Sequence, residues 1–337
     1  MNKLKLIFIA VAAVAITSSC NKNKGPEVKD TYPLTILINE GGYQQEIDMI
    51  GFNEKDLKTE DKTLSSSGNS SVKGEFRGLL MDALGNGYVL LSNYDMFSQI
   101  DMNRFKVIEN NLLTDLSNPL SMTLAGANIY VLNKGKDTDT CSYVSVYSTL
   151  YDYKLIGKVN VKKGASDIYV DDNYIYIAGK KGIELYNHSN QALAKVIETP
   201  AEPVKFMTTG SIYLLASCPG EGICVCDITT QRISKTVKVA INETGDLIPG
   251  KDINDVITYT SNEVYYTNVN TGHSEKIYEG EGITGAGRSF NTGFTYISVS
   301  EGTKQLVFND KREQISEFST PSGSYTYLFN KRIIYAE

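Results

Sequence analysis

The two histidines are the first candidates for catalysis, because a nucleophile needs a neighbouring base and histidine is the usual one. His188 lies in Asn187-His188-Ser189-Asn190, and His273 follows Thr271-Gly272. Both contexts are typical of surface turns. Two isolated histidines also argue against a histidine-rich zinc or iron site. We therefore predict a non-enzymatic protein with no catalytic residue, no metal and no cofactor.

Two acidic pairs could bind calcium or perform general acid–base catalysis. They are Asp137-Thr-Asp139 and Asp171-Asp172-Asn173, and neither extends into a loop of alternating oxygen donors. Solvated turns explain both pairs. The glycines of Gly285-Ala-Gly287 do not lie between a predicted strand and a predicted helix, as they would in a nucleotide-binding loop. Such a loop is therefore not predicted.

Four cysteines remain if the chain is processed at Cys20, and three of them fall in one predicted hairpin, Cys218-Pro-Gly-Glu-Gly-Ile-Cys224-Val-Cys226. In exported proteins, neighbouring cysteines can be oxidised to disulfides. A disulfide between Cys218 and Cys224 is one interpretation. Free, half-buried thiols are the alternative, because Cys224 and Cys226 occupy alternating strand positions that valine would also suit.

The N-terminus predicts export and lipidation. Lys3 and Lys5 precede an apolar run from Leu6 to Ile16, which has the length of a secretory signal and is too short to span a membrane permanently. The run ends at Thr17-Ser18-Ser19-Cys20, which resembles a bacterial lipobox. We expect a signal peptide at 1–19, lipidation of Cys20, a flexible tether at 20–32 and a single domain at 33–337.

The composition excludes several classes of protein. The chain has 337 residues with 33 Lys plus Arg against 39 Asp plus Glu, and 41% of its residues are hydrophobic. It is too apolar for a disordered protein, and no basic cluster of the kind that binds nucleic-acid phosphates is visible.

An internal repeat defines the fold. A Gly or Asn turn followed by a short apolar strand with a tyrosine recurs at intervals of 37 to 46 residues, with a weaker copy at Val256–Tyr259. The tyrosines are Tyr88, Tyr130, Tyr176, Tyr213, Tyr296 and Tyr335. Each copy can be divided into four short alternating strands, which indicates a blade of a β-propeller.

Both chain ends are predicted to share the closing blade. Residues 35–39, 46–52 and 57–62 supply three strands, and 325–329 supplies the inner one, which removes the exposed sheet edge of an open ring. The prediction is an all-β protein with seven blades. A remaining strand at 332–336 leaves eight blades or a five-stranded closing blade as alternatives.

Ligands of propellers bind where the loops from outer to inner strands and from second to third strands meet at one end of the channel. Tyrosine with a few basic and amide side chains suits a large, flat ligand with polar edges. The predicted binding residues are Tyr43, Arg77, Tyr94, Asn118, Lys134, Lys205 and Arg288.

The chain resembles a known family through Ile36-Leu-Ile-Asn-Glu-Gly41, the repeated strand-turn phrase and Thr320-Pro-Ser-Gly-Ser-Tyr325. It is similar to the YncE-like seven-bladed propellers, and among them to surface lipoproteins of Bacteroidetes that capture cobalamin. The resemblance implies an outer-membrane lipoprotein, held only by its lipid anchor, that binds a corrinoid or related nutrient and passes it to a TonB-dependent transporter.

Other functions fit the same fold. A scaffold propeller would bind a protein or a glycan on a flat surface instead of in a pocket. A metal-dependent propeller lactonase or lyase would need ligands converging from several inner strands. The residues after Cys20 do not decide between the cell surface, which we expect, and the periplasm.

Overall fold

The computed structural model describes residues 28–40, 47–63, 72–81, 86–209 and 212–335, with the backbone alone at 61–63 and 334–335. The predicted signal peptide and Cys20 lie outside these residues. Every regular element in the described part of the chain is a β-strand, and no helix there could cross a membrane. The chain divides into the unit Pro33–Asn330 and a smaller unit containing both termini, Met1–Tyr32 with Lys331–Glu337.

The strands form seven four-stranded antiparallel sheets, which confirms the predicted seven-bladed propeller. In chain order they are β1 (Val28–Asn39), β2 (Met49–Asn53), β3 (Lys58–Thr63), β4 (Glu75–Met81), β5 (Asn86–Ser92), β6 (Met96–Asp101), β7 (Lys106–Glu109), β8 (Pro119–Ala125), β9 (Asn128–Asn133), β10 (Cys141–Ser148), β11 (Lys154–Lys162), β12 (Ile168–Val170), β13 (Tyr174–Gly179), β14 (Gly182–Asn187), β15 (Leu193–Ile197), β16 (Lys205–Thr209), β17 (Tyr213–Cys218), β18 (Gly222–Asp227), β19 (Arg232–Val237), β20 (Ile248–Pro249), β21 (Asp255–Tyr259), β22 (Glu263–Asn268), β23 (His273–Glu279), β24 (Gly285–Arg288), β25 (Thr295–Val299), β26 (Lys304–Phe308), β27 (Gln314–Ser319) and β28 (Tyr325–Tyr335).

Six sheets take four consecutive strands, from β4–β7 to β24–β27. The first strand of one sheet contacts the first strand of the next, as β4 does β8 and β20 does β24, so these strands are the inner ones around the channel. Apart from Tyr335, the tyrosines of the repeat lie on second strands, for example Tyr176 on β13 and Tyr296 on β25, where both are fully buried. Their alternation with smaller apolar residues fills the space between neighbouring sheets.

The seventh sheet has the order β28-β1-β2-β3, so both chain ends join in one blade, as predicted. The register pairs Leu34 with Asn53 and Ile38 with Met49. The strand expected at 332–336 is the end of β28, not part of an eighth blade, and Tyr335 therefore does not mark a second strand.

Glu54, just after β2, joins the closing blade to the blade before it. Its carboxylate is 3% exposed and accepts hydrogen bonds from four hydroxyl groups at 2.5 to 3.0 Å. The donors are Thr35, Ser289, Thr292 and Tyr296. This buried acid is stabilised because hydrogen bonds from the protein replace those of water.

Candidate ligand-binding site

The connections from outer to inner strands and from second to third strands lie at one end of the propeller, here called the mouth; the opposite end is the far end. A cavity of about 500 Å³, the mouth cavity, opens there. Its charged lining residues are Glu40, Glu75, Arg77, Lys205 and Asp246. A second cavity of about 360 Å³, the channel cavity, shares Glu40, Asp246 and Thr326 with the first and continues to the far end.

Arg77 and Lys205, both predicted binding residues, are brought together in the mouth cavity. The Arg77 guanidinium forms an ion pair with Glu75 at 2.6 Å and donates to Ser92 Oγ at 3.0 Å. Lys205 begins the inner strand β16, and its backbone N–H donates to Ser217 Oγ at 3.1 Å. Inner strands start at the mouth, and residues at the start of β4, β8, β16 and β28 line this cavity.

Glu40 is held at the mouth by backbone hydrogen bonds to two blades. Its N–H donates to the Ser324 carbonyl and its own carbonyl accepts from the Phe76 N–H, each at 2.9 Å. Its side chain accepts a hydrogen bond from Thr326 Oγ1 at 2.8 Å. Burial raises the pKa of the Glu40 carboxyl, and the negative charge of Asp246 raises it further, while the Thr326 hydroxyl and the Lys205 charge act in the opposite direction.

Asp246 comes from the long connection before β20. Its Oδ2 accepts hydrogen bonds from Asn242 Nδ2 at 3.0 Å, Thr244 Oγ1 at 2.5 Å and the Tyr259 hydroxyl at 2.7 Å. Burial, followed by this negative charge, raises the pKa of Tyr259, so the phenol remains a donor. Gly245 supplies the positive φ of 72° that the connection needs, and a Cβ there would lie 2.5 Å from Ser217 Oγ.

The glycines of Gly285-Ala-Gly287 let two inner strands approach each other. A Cβ on Gly287 would lie 2.6 Å from Cγ of Tyr327, so only glycine allows β24 to pack on that ring. The Tyr327 hydroxyl donates to Gln305 Oε1 at 2.7 Å, and burial raises its pKa. Below Glu40 and Asp246 the channel cavity is mainly apolar, lined among others by Tyr327, Phe329, Ala286, Pro249 and Phe290.

Tyr94, Asn118 and Lys134 lie on neighbouring connections at the rim of the mouth. The Asn118 N–H donates to Asp95 Oδ1 at 2.6 Å, and its carbonyl accepts from the Lys134 N–H at 3.0 Å. Tyr94 is 45% exposed, and the Lys134 ammonium pairs with Asp137 at 3.3 Å. Tyr43, the remaining predicted residue of the rim, lies outside the described residues.

The prediction that Arg288 lies at the mouth is wrong. It is the last residue of inner strand β24, which runs away from the mouth, so it lies towards the far end. Arg288 is 8% exposed, pairs with Asp310 at 2.6 Å and donates to the Gly293 carbonyl at 2.5 Å. Hydrogen bonding to Arg288 lowers the pKa of Asp310. Asp310 and the Gly293 carbonyl hold its guanidinium, and the residue also lines the part of the channel cavity away from the mouth.

The predicted disulfide partners lie side by side as free thiols. Cys218 and Cys224 are fully buried, and their Sγ atoms are 3.5 Å apart. Their oxidation stays a prediction. The acidic pair at Asp171 occupies a turn, in which its Oδ1 accepts from the N–H groups of Asn173 and Tyr174 at 2.7 Å. Within the described residues, no group of three His, Cys, Asp or Glu side chains is arranged to hold a metal ion.

Sequence reasoning missed Glu40 and Asp246, the two carboxylates shared by both cavities. Glu40 belongs to the Ile36–Gly41 segment already noted for its resemblance, so a signal existed for it. Asp246 lies in an irregular connection with no recurring pattern, and only the closed ring brings it near Glu40.

No family model and no curated protein matches the chain. Among solved structures, the chain is similar to a 6-phosphogluconolactonase candidate from Bacteroides fragilis, with a TM-score of 0.63 and 14% identity over 90% of this chain and 100% of the other. It is also similar to apo AztD from Citrobacter koseri, with a TM-score of 0.57 and 12% identity over 90% and 99% of the two chains. Hydrazine synthase from Kuenenia stuttgartiensis gives a TM-score of 0.53 and 14% identity over 72% and 79%. At these identities the likeness establishes the propeller fold alone.

Proposed function

We propose that this protein is a ligand-capture propeller: a non-enzymatic lipoprotein of the outer membrane, displayed at the cell surface, that binds a small-molecule nutrient at the mouth. The observation that carries the proposal is the mouth cavity, where side chains from several blades bring both signs of charge to one opening. Preformed concave sites with a few converging polar groups are typical of small-molecule binding. A scaffold for a flat protein partner would not need this cavity.

The resemblance of the sequence to cobalamin-capturing lipoproteins makes a corrinoid the first ligand to test and a TonB-dependent transporter the proposed receiver. A corrinoid has a flat ring edged with amides, which suits the exposed Tyr94 ring and the backbone and side-chain donors of the rim. The lipobox-like Thr17–Cys20 supports the anchor and the location.

Calorimetric titration of the full-length protein with cobalamin, and then with a ferric siderophore, tests the proposal. Saturable binding should weaken by about tenfold in Arg77→Ala and in Tyr94→Ala, because each loses a directional or stacking contact. Arg104→Ala and Tyr151→Ala are matched controls, since both residues are exposed on connections at the far end, and neither should change the affinity. Equal losses in the controls would contradict a site at the mouth.

The absence of catalysis is part of the proposal and has its own test. The purified protein is expected to leave the spontaneous hydrolysis rate of 6-phosphogluconolactone unchanged. Turnover above that rate, lost in Glu40→Gln or Asp246→Asn, would replace the capture function with a lactonase.

A further inference from the structure

Within the part of the chain that the structure describes, three charged groups at the mouth cavity have no ion-pair partner. Among the described residues, Glu40, Asp246 and Lys205 form no salt bridge within 4.0 Å, whereas Arg77 is paired with Glu75. The two carboxylates also line the channel cavity, and Lys205 does not. Negative charge is therefore concentrated where the two cavities join.

The wall below these carboxylates has the opposite character. The channel cavity continues past Ala286 and Tyr327 to Phe329 and Phe290. Its described lining residues include one cation, Arg288, whose charge is balanced by Asp310 at 2.6 Å. Phe290 is 67% exposed, and its ring meets that of Phe329 edge to face, with centroids 6.3 Å apart. An apolar group can occupy this space, because it would replace water against aromatic and aliphatic carbon.

The two carboxylates and the apolar wall of the channel cavity together favour one type of ligand. A carboxylate beside an apolar wall attracts an ammonium group, and aromatic rings nearby add to the attraction for a cation. An anionic ligand would be repelled by both carboxylates. Asp246 already accepts three hydrogen bonds from the protein, so Glu40, which accepts one, is the carboxylate that gains most from a cationic partner.

We propose that the channel admits an organic ammonium compound with an apolar body, its ammonium group at the Glu40 and Asp246 carboxylates and its body in the channel cavity. This inference rests on the proposed function, because it names the chemistry of the ligand that the mouth captures. The raised pKa of Glu40 agrees with it, since a bound cation would compensate a charge that burial disfavours. Lys205 lies on the approach and opposes a cation, so its removal should strengthen binding.

Calorimetric titration of the full-length protein with tyramine and with tyrosol tests the inference. The two probes share a phenol ring and differ mainly in an ammonium group against a hydroxyl. Tyramine and benzyltrimethylammonium are expected to bind, and tyrosol about tenfold or more weaker, as for the loss of a hydrogen bond to a charged group. Glu40→Gln and Asp246→Asn should each weaken the binding of tyramine by a similar factor and leave the binding of tyrosol unchanged. Lys205→Met should strengthen tyramine, and Glu109→Gln, an exposed acid on β7, should change neither probe.

The outcomes separate this inference from the capture function. Equal affinity for tyramine and tyrosol, or binding of calcium in place of tyramine, would overturn the inference. The two probes are compared on the unaltered protein, so this test does not depend on whether a variant folds. Binding of cobalamin without binding of either ammonium probe would overturn the inference and leave the capture function intact. If the protein bound neither cobalamin, nor the siderophore, nor either ammonium compound, the inference and the capture function would both be overturned.

Discussion

Two glutamates of the closing blade lie at opposite ends of the propeller in contrasting surroundings. Glu54, after β2, accepts hydrogen bonds from four hydroxyl groups at the far end and is almost fully buried. Glu40, after β1, accepts one hydroxyl hydrogen bond at the mouth and has a raised pKa. A carboxylate supplied with donors by its own protein stabilises the fold, whereas one short of donors beside a cavity is available to a ligand.

The largest expected effect tests the structural side of this contrast. Glu54→Ala leaves the hydroxyls of Thr35, Ser289, Thr292 and Tyr296 without their acceptor in a buried space, and should lower the free energy of unfolding by about 3 kcal/mol or more. Urea unfolding measures the change. Glu109→Ala, at an exposed position on β7, should change stability by less than about 0.5 kcal/mol. A loss below about 1 kcal/mol at Glu54 would remove the distinction between the two glutamates.

The next effect concerns the wall of the channel beside Glu40. Gly287→Ala places a methyl group against the Tyr327 ring, where a Cβ would be 2.6 Å from Cγ, and should lower the free energy of unfolding by about 1–3 kcal/mol. Gly157→Ala is the matched control, because its Cβ would meet Val146 at an ordinary 3.7 Å. That control should be neutral or stabilising in thermal unfolding. Similar results for both variants would mean that β24 does not need glycine to form the channel.

Arg288 sharpens the difference between the mouth and the far end. Arg288→Ala removes a mostly buried guanidinium from Asp310 and the Gly293 carbonyl, and should cost about 1–2 kcal/mol of stability without changing the affinity for cobalamin at the mouth. Arg312→Ala breaks an exposed ion pair with Glu275 and should cost at most about 1 kcal/mol. Unfolding and titration of the same samples separate the two effects. If Arg288→Ala lost affinity for cobalamin at normal stability, Arg288 would belong to the binding site.

The periodic part of the molecule could be predicted from the sequence, and the ring-dependent part could not. The tyrosine repeat located the second strands, because a strand shows its two faces in its own alternation. The repeat did not give the residue at which β24 begins, so Arg288, the last residue of that strand, was assigned to the connection at the mouth. Glu40 and Asp246 come together only through ring closure, and Glu54 gains donors more than 230 residues away in the chain. A local sequence pattern does not predict contacts between residues that are so far apart in the chain.

The smallest expected effect tests the functional side of the contrast through pH. Because the folded-state pKa of Glu40 is raised above its ordinary value of 4.5, the folded protein holds this proton to higher pH than the unfolded chain, and ionisation of Glu40 costs stability as pH rises. Asp246 adds to the cost, while Lys205 and Arg77 reduce it. Tyr259 and Tyr327 stay neutral, since burial raises their pKa values. Glu40→Gln cannot ionise, so its free energy of unfolding relative to the unaltered protein should increase from pH 4 to pH 8, whereas Glu109→Gln should show no such trend. Urea unfolding at several pH values measures this difference, and a relative stability that falls with pH would show that Glu40 is already compensated within the protein and has no need of a cationic ligand.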